Sequence, residues 1–120
     1  MAKTIDIEVF TDLRGSLGVI QNSTSFAIKR VYYIYGASDV RGGHKHHKTR
    51  QIAICVNGSC IIRVHNKFEN ENEEYCLNRP NLGLFIEPDD FHWMHSFSSD
   101  CVLLVLANEE YNKNDYIYEK

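Results

Sequence analysis

Apolar and polar residues alternate along most of this chain with a period of two. Ile5, Ile7 and Val9 are separated by Asp6 and Glu8, the pattern of a strand with one face covered and the other wet. Asp12-Leu13-Arg14-Gly15 reads as a turn, and residues 17–20 as a short strand. Residues 27–35 are dense in β-branched and aromatic side chains and stop at Gly36, a strand signal. Residues 51–56 and 59–65 flank Asn57-Gly58. Both positions of a tight primed turn need positive φ, so this dipeptide predicts a hairpin. Residues 66–74 are polar and acidic and read as a loop, and residues 74–77 form a weak strand. Residues 84–87, stopped by Pro88, and residues 94–97 and 101–107 supply three more strands. The last is apolar on both faces and is expected inside. The polar tail, 108–120, carries three tyrosines and suits a short helix. No segment sustains a helical period over three turns.

Many short strands joined by Gly and Asn turns predict an all-β fold, a small barrel or two-sheet jelly roll. Residues 1–120 read as a single domain without repeat or linker. Side chains in such a barrel alternate inward and outward, and a wide enough interior makes a ligand pocket. The 120 residues are 43 % apolar and 24 % charged, ordinary for a soluble domain with one core. A formal net charge of −3 speaks against the broad basic surface of a nucleic-acid binder, but leaves local arginines free to hold a phosphorylated ligand. The first residues lack an apolar signal core, and the longest apolar run, 102–107, is too short for a bilayer. A cytoplasmic protein with no membrane partner is expected. The four cysteines form no C-x-x-C motif. Cys55 and Cys60 would face each other across the predicted hairpin as reduced, small core residues.

The candidate chemistry sits in Arg41-Gly42-Gly43-His44-Lys45-His46-His47. On a strand, His44 and His46 project side by side while Lys45 and His47 turn away. Imidazole moves protons near neutral pH and is the commonest metal ligand, so the pair reads as a proton-transfer site or a metal site. Gln51 and Gly58 follow at spacings that matter for the choice.

That spacing resembles the cupin pattern, with His44, His46, Gln51 and Gly58 in its first motif and residues 88–93 in its second. Gln51 stands where a metal-binding Glu is usual, and Trp93 where a third metal histidine is usual. A Gln carbonyl is a weak neutral ligand and an indole offers none. A closer resemblance lies in Asp12-Leu-Arg-Gly-Ser-Leu17, Phe26-Ala-Ile-Lys-Arg-Val-Tyr-Tyr-Ile-Tyr35, Arg41-Gly-Gly-His-Lys-His46 and Phe97-Ser-Ser-Asp-Cys-Val102. These look like the nucleotide-sugar 3,4-ketoisomerases, cupins acting on dTDP-4-keto-6-deoxyglucose, over roughly residues 5–118. Lys45 departs from the small residue usual between the two histidines.

The resemblance implies a cupin jelly roll, an isomerase of bacterial deoxyamino-sugar biosynthesis, and proton transfers by His44 and His46. It implies no metal, no other cofactor, and a homodimer. Residues 5–9 are a natural strand to pair with a partner's sheet. Among Tyr32, Tyr33 and Tyr35 it favours Tyr33 as the one facing substrate. Arg14 and Arg41 are candidates for the diphosphate or sugar hydroxyls, because guanidinium grips phosphate bidentately. Gln51 is expected to face the pocket; His92 and His95 could line it or complete a metal site, but are expected to be structural. The alternatives are a dTDP-keto-sugar epimerase, a non-catalytic sugar-nucleotide-binding cupin, and a metal-dependent oxygenase.

Overall fold

The computed structural model describes residues 1–21, 26–69 and 71–120. Twelve strands occur among them: β1 (Lys3–Asp6), β2 (Glu8–Asp12), β3 (Gly15–Val19), β4 (Arg30–Tyr35), β5 (Arg41–His46), β6 (Gln51–Asn57), β7 (Cys60–Asn66), β8 (Glu71–Leu77), β9 (Leu82–Ile86), β10 (Phe91–His95), β11 (Val102–Ala107) and β12 (Tyr116–Ile117). A 3₁₀ turn, Lys113–Asp115, precedes β12. It matches the short helix expected of the tail. Two five-stranded antiparallel sheets, ordered β1-β9-β6-β11-β4 and β12-β5-β10-β7-β8, face each other, and β2-β3 forms a separate ribbon. This is the predicted all-β jelly roll.

Period-two alternation fills the space between the sheets. Ala53 and Cys55 of β6, Ile62 and Val64 of β7, Leu84 and Ile86 of β9, Met94 of β10, and Leu103 and Val105 of β11 form one buried cluster. Strand β6 is covered on both faces. Its outward residues Ile52 and Ile54 sit under Ile7, with Ile5, Ile20, Phe26 and Phe85 packed around them. That double covering explains why residues 51–55 are buried without interruption.

Three expectations change. The stretch 5–9 is not one strand. It breaks at Ile7, whose amide donates to the Asn81 carbonyl, so β1 joins β9 while β2 leaves to pair with β3. Asn57-Gly58 is not a hairpin turn, because β6 and β7 belong to different sheets. The tight turn is there, with Gly58 at φ +69°, but it carries the chain across the sandwich. The acidic stretch 66–74, whose residue 70 lies outside the described residues, becomes strand from Glu71 onward and pairs in register with β7.

Candidate active site

The interior changes character along the barrel. At the end where β6 begins, polar groups replace the apolar filling. Gln51 shares the inward face with Ala53 and Cys55, as period two requires, and is 1 % exposed. From the opposite sheet, β5 brings His44 and His46 and β10 brings His92. The imidazoles of His44 and His46 lie with ring centroids 4.8 Å apart, and His44 is 4.9 Å from His92.

Register creates this cluster. His92 is the cross-strand partner of His44, and Trp93 pairs with Gly42, so Gly43 is an extra residue in β5. Gly42 and Gly43 take φ of +90° and +83°, the left-handed region that glycine enters without steric penalty. A Cβ on Gly42 would stand 3.1 Å from the carbonyl oxygen of His92. The glycine pair therefore lets β5 close tightly on β10 and aims His44 inward.

The last strand finishes the site. Tyr116 pairs with His46, and its ring centroid lies 4.7 Å from that of His44 and 4.8 Å from that of His46. Asp115 anchors this arrangement. Its carboxylate accepts from the amide of Lys48 at 2.8 Å and from the Thr49 hydroxyl. Burial works against the charged form of Asp115, but these hydrogen bonds prevail and hold its pKa below the usual value.

An open cavity of about 390 Å³ leads to the cluster, lined by Arg30, Tyr32, Arg41, Gly42, His44 and Tyr116 among others. His44 stands on its wall. His46 is 1 % exposed and His92 is 0 % exposed, one layer deeper. Several buried polar atoms here have no hydrogen-bond partner among the described residues: both ring nitrogens of His46, Nε2 of His92, Oε1 of Gln51 and Nε of Arg30. Buried groups of this kind are rare and mark functional chemistry or bound ligand and solvent. Burial, then the neighbouring His92, pulls the pKa of His44 down to about 4. The same causes, in the same order, pull His46 down to about 3. Both imidazoles are neutral at pH 7, with a lone pair available. His92 is also held neutral by burial. Its Nδ1 lies 2.9 Å from the Asp90 carbonyl oxygen. A carbonyl only accepts, so Nδ1 carries the proton and Nε2 presents its lone pair to the site.

Tyr32, not Tyr33, is the β4 tyrosine at the cavity. The Gln51 amide donates to the Tyr32 hydroxyl at 2.9 Å, which leaves the phenolic proton free for a ligand. Burial raises the Tyr32 pKa to about 12, so that proton stays in place. Tyr33 points outward, 63 % exposed, and stacks on Tyr35. Register with β11 decides this: β4 places Tyr32 opposite Val105 and Ile34 opposite Leu103, two buried interior residues. Arg41 lines the cavity as expected. Arg14 does not; it sits at the tip of the β2–β3 ribbon, ion-paired with Asp12. His95 lies at the surface with Ser96 and Glu74.

Arg30 and Tyr116 are the site residues that sequence reasoning missed, and His92, expected to be structural, joins them. His92 had a signal, since it shares period-two spacing with the buried Met94. Of the four positions matching the cupin metal pattern, His44, His46 and Gln51 reach the interior. Trp93 turns outward beneath the Arg63 and Lys120 side chains.

Comparison with known proteins sharpens this picture. The family model described as FdtA, WxcM-like, C-terminal, matches residues 1–120. The chain is 44 % identical over 119 residues to a TDP-4-oxo-6-deoxy-alpha-D-glucose-3,4-oxoisomerase of Aneurinibacillus thermoaerophilus, covering 96 % of this chain and 84 % of that one. It superposes with a TM-score of 0.92 and 41 % identity on a double mutant of the QdtA 3,4-ketoisomerase of Thermoanaerobacterium thermosaccharolyticum in complex with TDP, covering 98 % and 87 % of the two chains. The WlaRB TDP-quinovose 3,4-ketoisomerase of Campylobacter jejuni gives a TM-score of 0.92 at 36 % identity, covering 98 % and 92 %.

Proposed function

The chain belongs to the WxcM-like FdtA family, and on that premise we propose that it is a sugar-nucleotide 3,4-ketoisomerase. Its substrate is dTDP-4-keto-6-deoxyglucose and its product a dTDP-3-keto-6-deoxyhexose. The observation that carries this reading is the convergence of neutral, partly unpartnered imidazoles on a cavity that also holds a protonated tyrosine and two arginines.

The reaction moves a ketone by one carbon. A proton leaves C3 and one arrives on O4, giving an enediol. A proton then arrives on C4 and one leaves O3. Atoms and electrons balance with no redox partner. A neutral imidazole suits the abstraction, and the imidazolium it becomes suits the return. We assign the C3 proton to His46, whose two ring nitrogens have no competing hydrogen bond. His44, on the cavity wall, relays hydroxyl protons. Reaching His46 requires the sugar to displace the edge of Tyr116. The Tyr32 hydroxyl donates to the enediolate oxygen, and a preorganised donor at developing charge lowers the barrier without a metal. Nε2 of His92 accepts from a sugar hydroxyl. Arg41 and Arg30 hold the diphosphate.

The protein works as a cytoplasmic homodimer in this reading. Phe10 and Leu17 of the ribbon and Val31, Tyr33 and Tyr35 on the outer face of β4 are exposed apolar surface in the single chain, and β4 is a free sheet edge. Arg14 contributes to substrate binding only through the second copy, because its own cavity lies elsewhere.

The deciding experiment is incubation with dTDP-4-keto-6-deoxyglucose after exhaustive chelation, followed by NMR of the product. A C3 ketone is expected. An epimer at C3 or C5, unchanged substrate, or turnover that returns only with added metal would overturn the proposal.

A further inference from the structure

The apolar end of the barrel, opposite the histidines, closes on three thiols. Cys55 ends the buried run of β6, Cys60 opens β7, and Cys101 stands just before β11. The Sγ of Cys55 lies 3.5 Å from that of Cys60 and 3.7 Å from that of Cys101. All three sulfurs lie within 4.8 Å of one another, and the residues are 0, 1 and 3 % exposed. Cys55 lies four positions along β6 from Gln51, about 13 Å at strand rise, so this cluster is no part of the catalytic cavity.

We propose that Cys55, Cys60 and Cys101 form a binding site for one thiophilic trivalent ion of the arsenite class. Softness comes first: three sulfurs and no oxygen or nitrogen donor select a soft acceptor over Mg²⁺, Ca²⁺ or Mn²⁺. Size agrees for two of the three pairs: metal–sulfur bonds of about 2.3 Å place three ligands around one centre no more than about 4 Å apart, as Cys55 already stands to Cys60 and Cys101. The Cys60–Cys101 pair, within 4.8 Å, closes to that spacing on binding. Charge then selects among soft ions. Asp100 is an electrostatic neighbour of Cys101. Three thiolates on Cu⁺ or Zn²⁺ would leave net negative charge buried beside it, an expensive arrangement.

A trivalent centre leaves none. Arsenous acid exchanges its three hydroxyls for three sulfurs: three As–O and three S–H bonds break, three As–S bonds form, and three waters leave. No electron changes hands and no net charge is created. Cys55 and Cys101 enter as neutral thiols. Burial raises Cys101 to about 11, and the hydrogen bond with Cys60, followed by burial, raises Cys55 further. Cys101 ends the loop between β10 and β11, so opening that loop admits the ion.

The test uses the full chain, reduced, and titrated with arsenite and separately with Zn²⁺. Bound arsenic after desalting is expected at one per chain, with a higher thermal midpoint, since a ligand that binds only the folded state stabilises it. Cys101→Ser and Cys60→Ser should lose the arsenic, while Cys76→Ser, at an exposed position outside the cluster, should keep it. Alkylation mapping of the wild-type protein gives a readout that does not depend on a variant folding. In mild denaturant that opens the β10–β11 loop, arsenite should protect Cys55, Cys60 and Cys101 from alkylation and leave Cys76 reactive. Unchanged alkylation of the three, binding that requires Cys76, or zinc held more tightly than arsenite would each overturn the proposal. The ketoisomerase reading has no part in these outcomes.

Discussion

Buried and without a hydrogen bond on either ring nitrogen, His46 separates chemistry from structure when it is replaced. His46→Asn removes a titratable group and keeps polarity and rough size. Turnover is expected to fall on the order of 10²–10⁴-fold, the usual worth of general acid–base catalysis, with circular dichroism unchanged. Near-normal turnover would take His46 out of the mechanism. The same burial makes stability depend on pH. In the unfolded chain a histidine titrates near 6.5, whereas His44 and His46 in the folded chain titrate near 4 and 3. Between those values the unfolded chain takes up protons that the folded chain refuses. Stability is therefore full above about pH 6.5 and is lost as pH falls toward the folded values. The thermal midpoint should drop from pH 7 to pH 5, and drop less in His46→Asn. At this scale the sequence spoke clearly where a face could be assigned locally. His44 and His46 share one because they are two apart. Tyr32 and Tyr33 were separable onto opposite faces, but which face looks inward depends on partners in β11, seventy residues away in the chain. No local pattern carries that information.

Between strands, the glycine pair at 42 and 43 controls the site through backbone geometry. Alanine at Gly42 must adopt φ near +90° and place its Cβ 3.1 Å from backbone of both His92 and Trp93. A residue forced into such a region costs about 1–3 kcal/mol. Gly42→Ala is thus expected to lower the denaturation midpoint and to separate His44 from His92. Its kcat should fall more than its KM rises, because Arg30, proposed to hold the diphosphate, stands on β4 outside the disturbed β5–β10 contact. A variant with wild-type kcat would show that this strand spacing is not needed. Elements were legible as far as they were local. Strands β6, β7 and β11 were placed to within a residue at each end, while β4 starts three residues later than its apolar run. Asn57-Gly58 announced a reversal but not the sheet into which the chain returns. The polarity of residues 71–74 suggested a loop, yet an edge strand such as β8 tolerates charge on its wet face.

For the molecule as a whole, alternation along nearly every strand left little choice but two sheets facing each other, so the architecture could be read early. The association state could not, because an exposed aromatic looks the same in sequence whether it meets water or a second copy. Light scattering at micromolar concentration should give twice the mass of the chain. Replacing Phe10 and Leu17 together by Ser should shift the population toward a single chain, and a monomer in the unmodified protein would remove the dimer from the proposal. The gradient from thiols to imidazoles along one barrel also shows where tolerance to change lies. Leu103, fully buried in the middle, belongs to the part that holds the sheets together, and truncating it to Ala should cost about 2–5 kcal/mol.

Strand β12 is only two residues long, yet it supplies Tyr116 and, through Asp115, ties down the turn after His46. The barrel's main cluster of buried residues draws nothing from it. A protease that nicks the segment between β11 and the 3₁₀ turn would therefore leave a sandwich that still melts as one body, with its imidazoles open to water and its chemistry gone. Loss of function and loss of fold are separate injuries in this molecule. A screen that scores variants by melting or by expression would pass many that can no longer turn over a sugar.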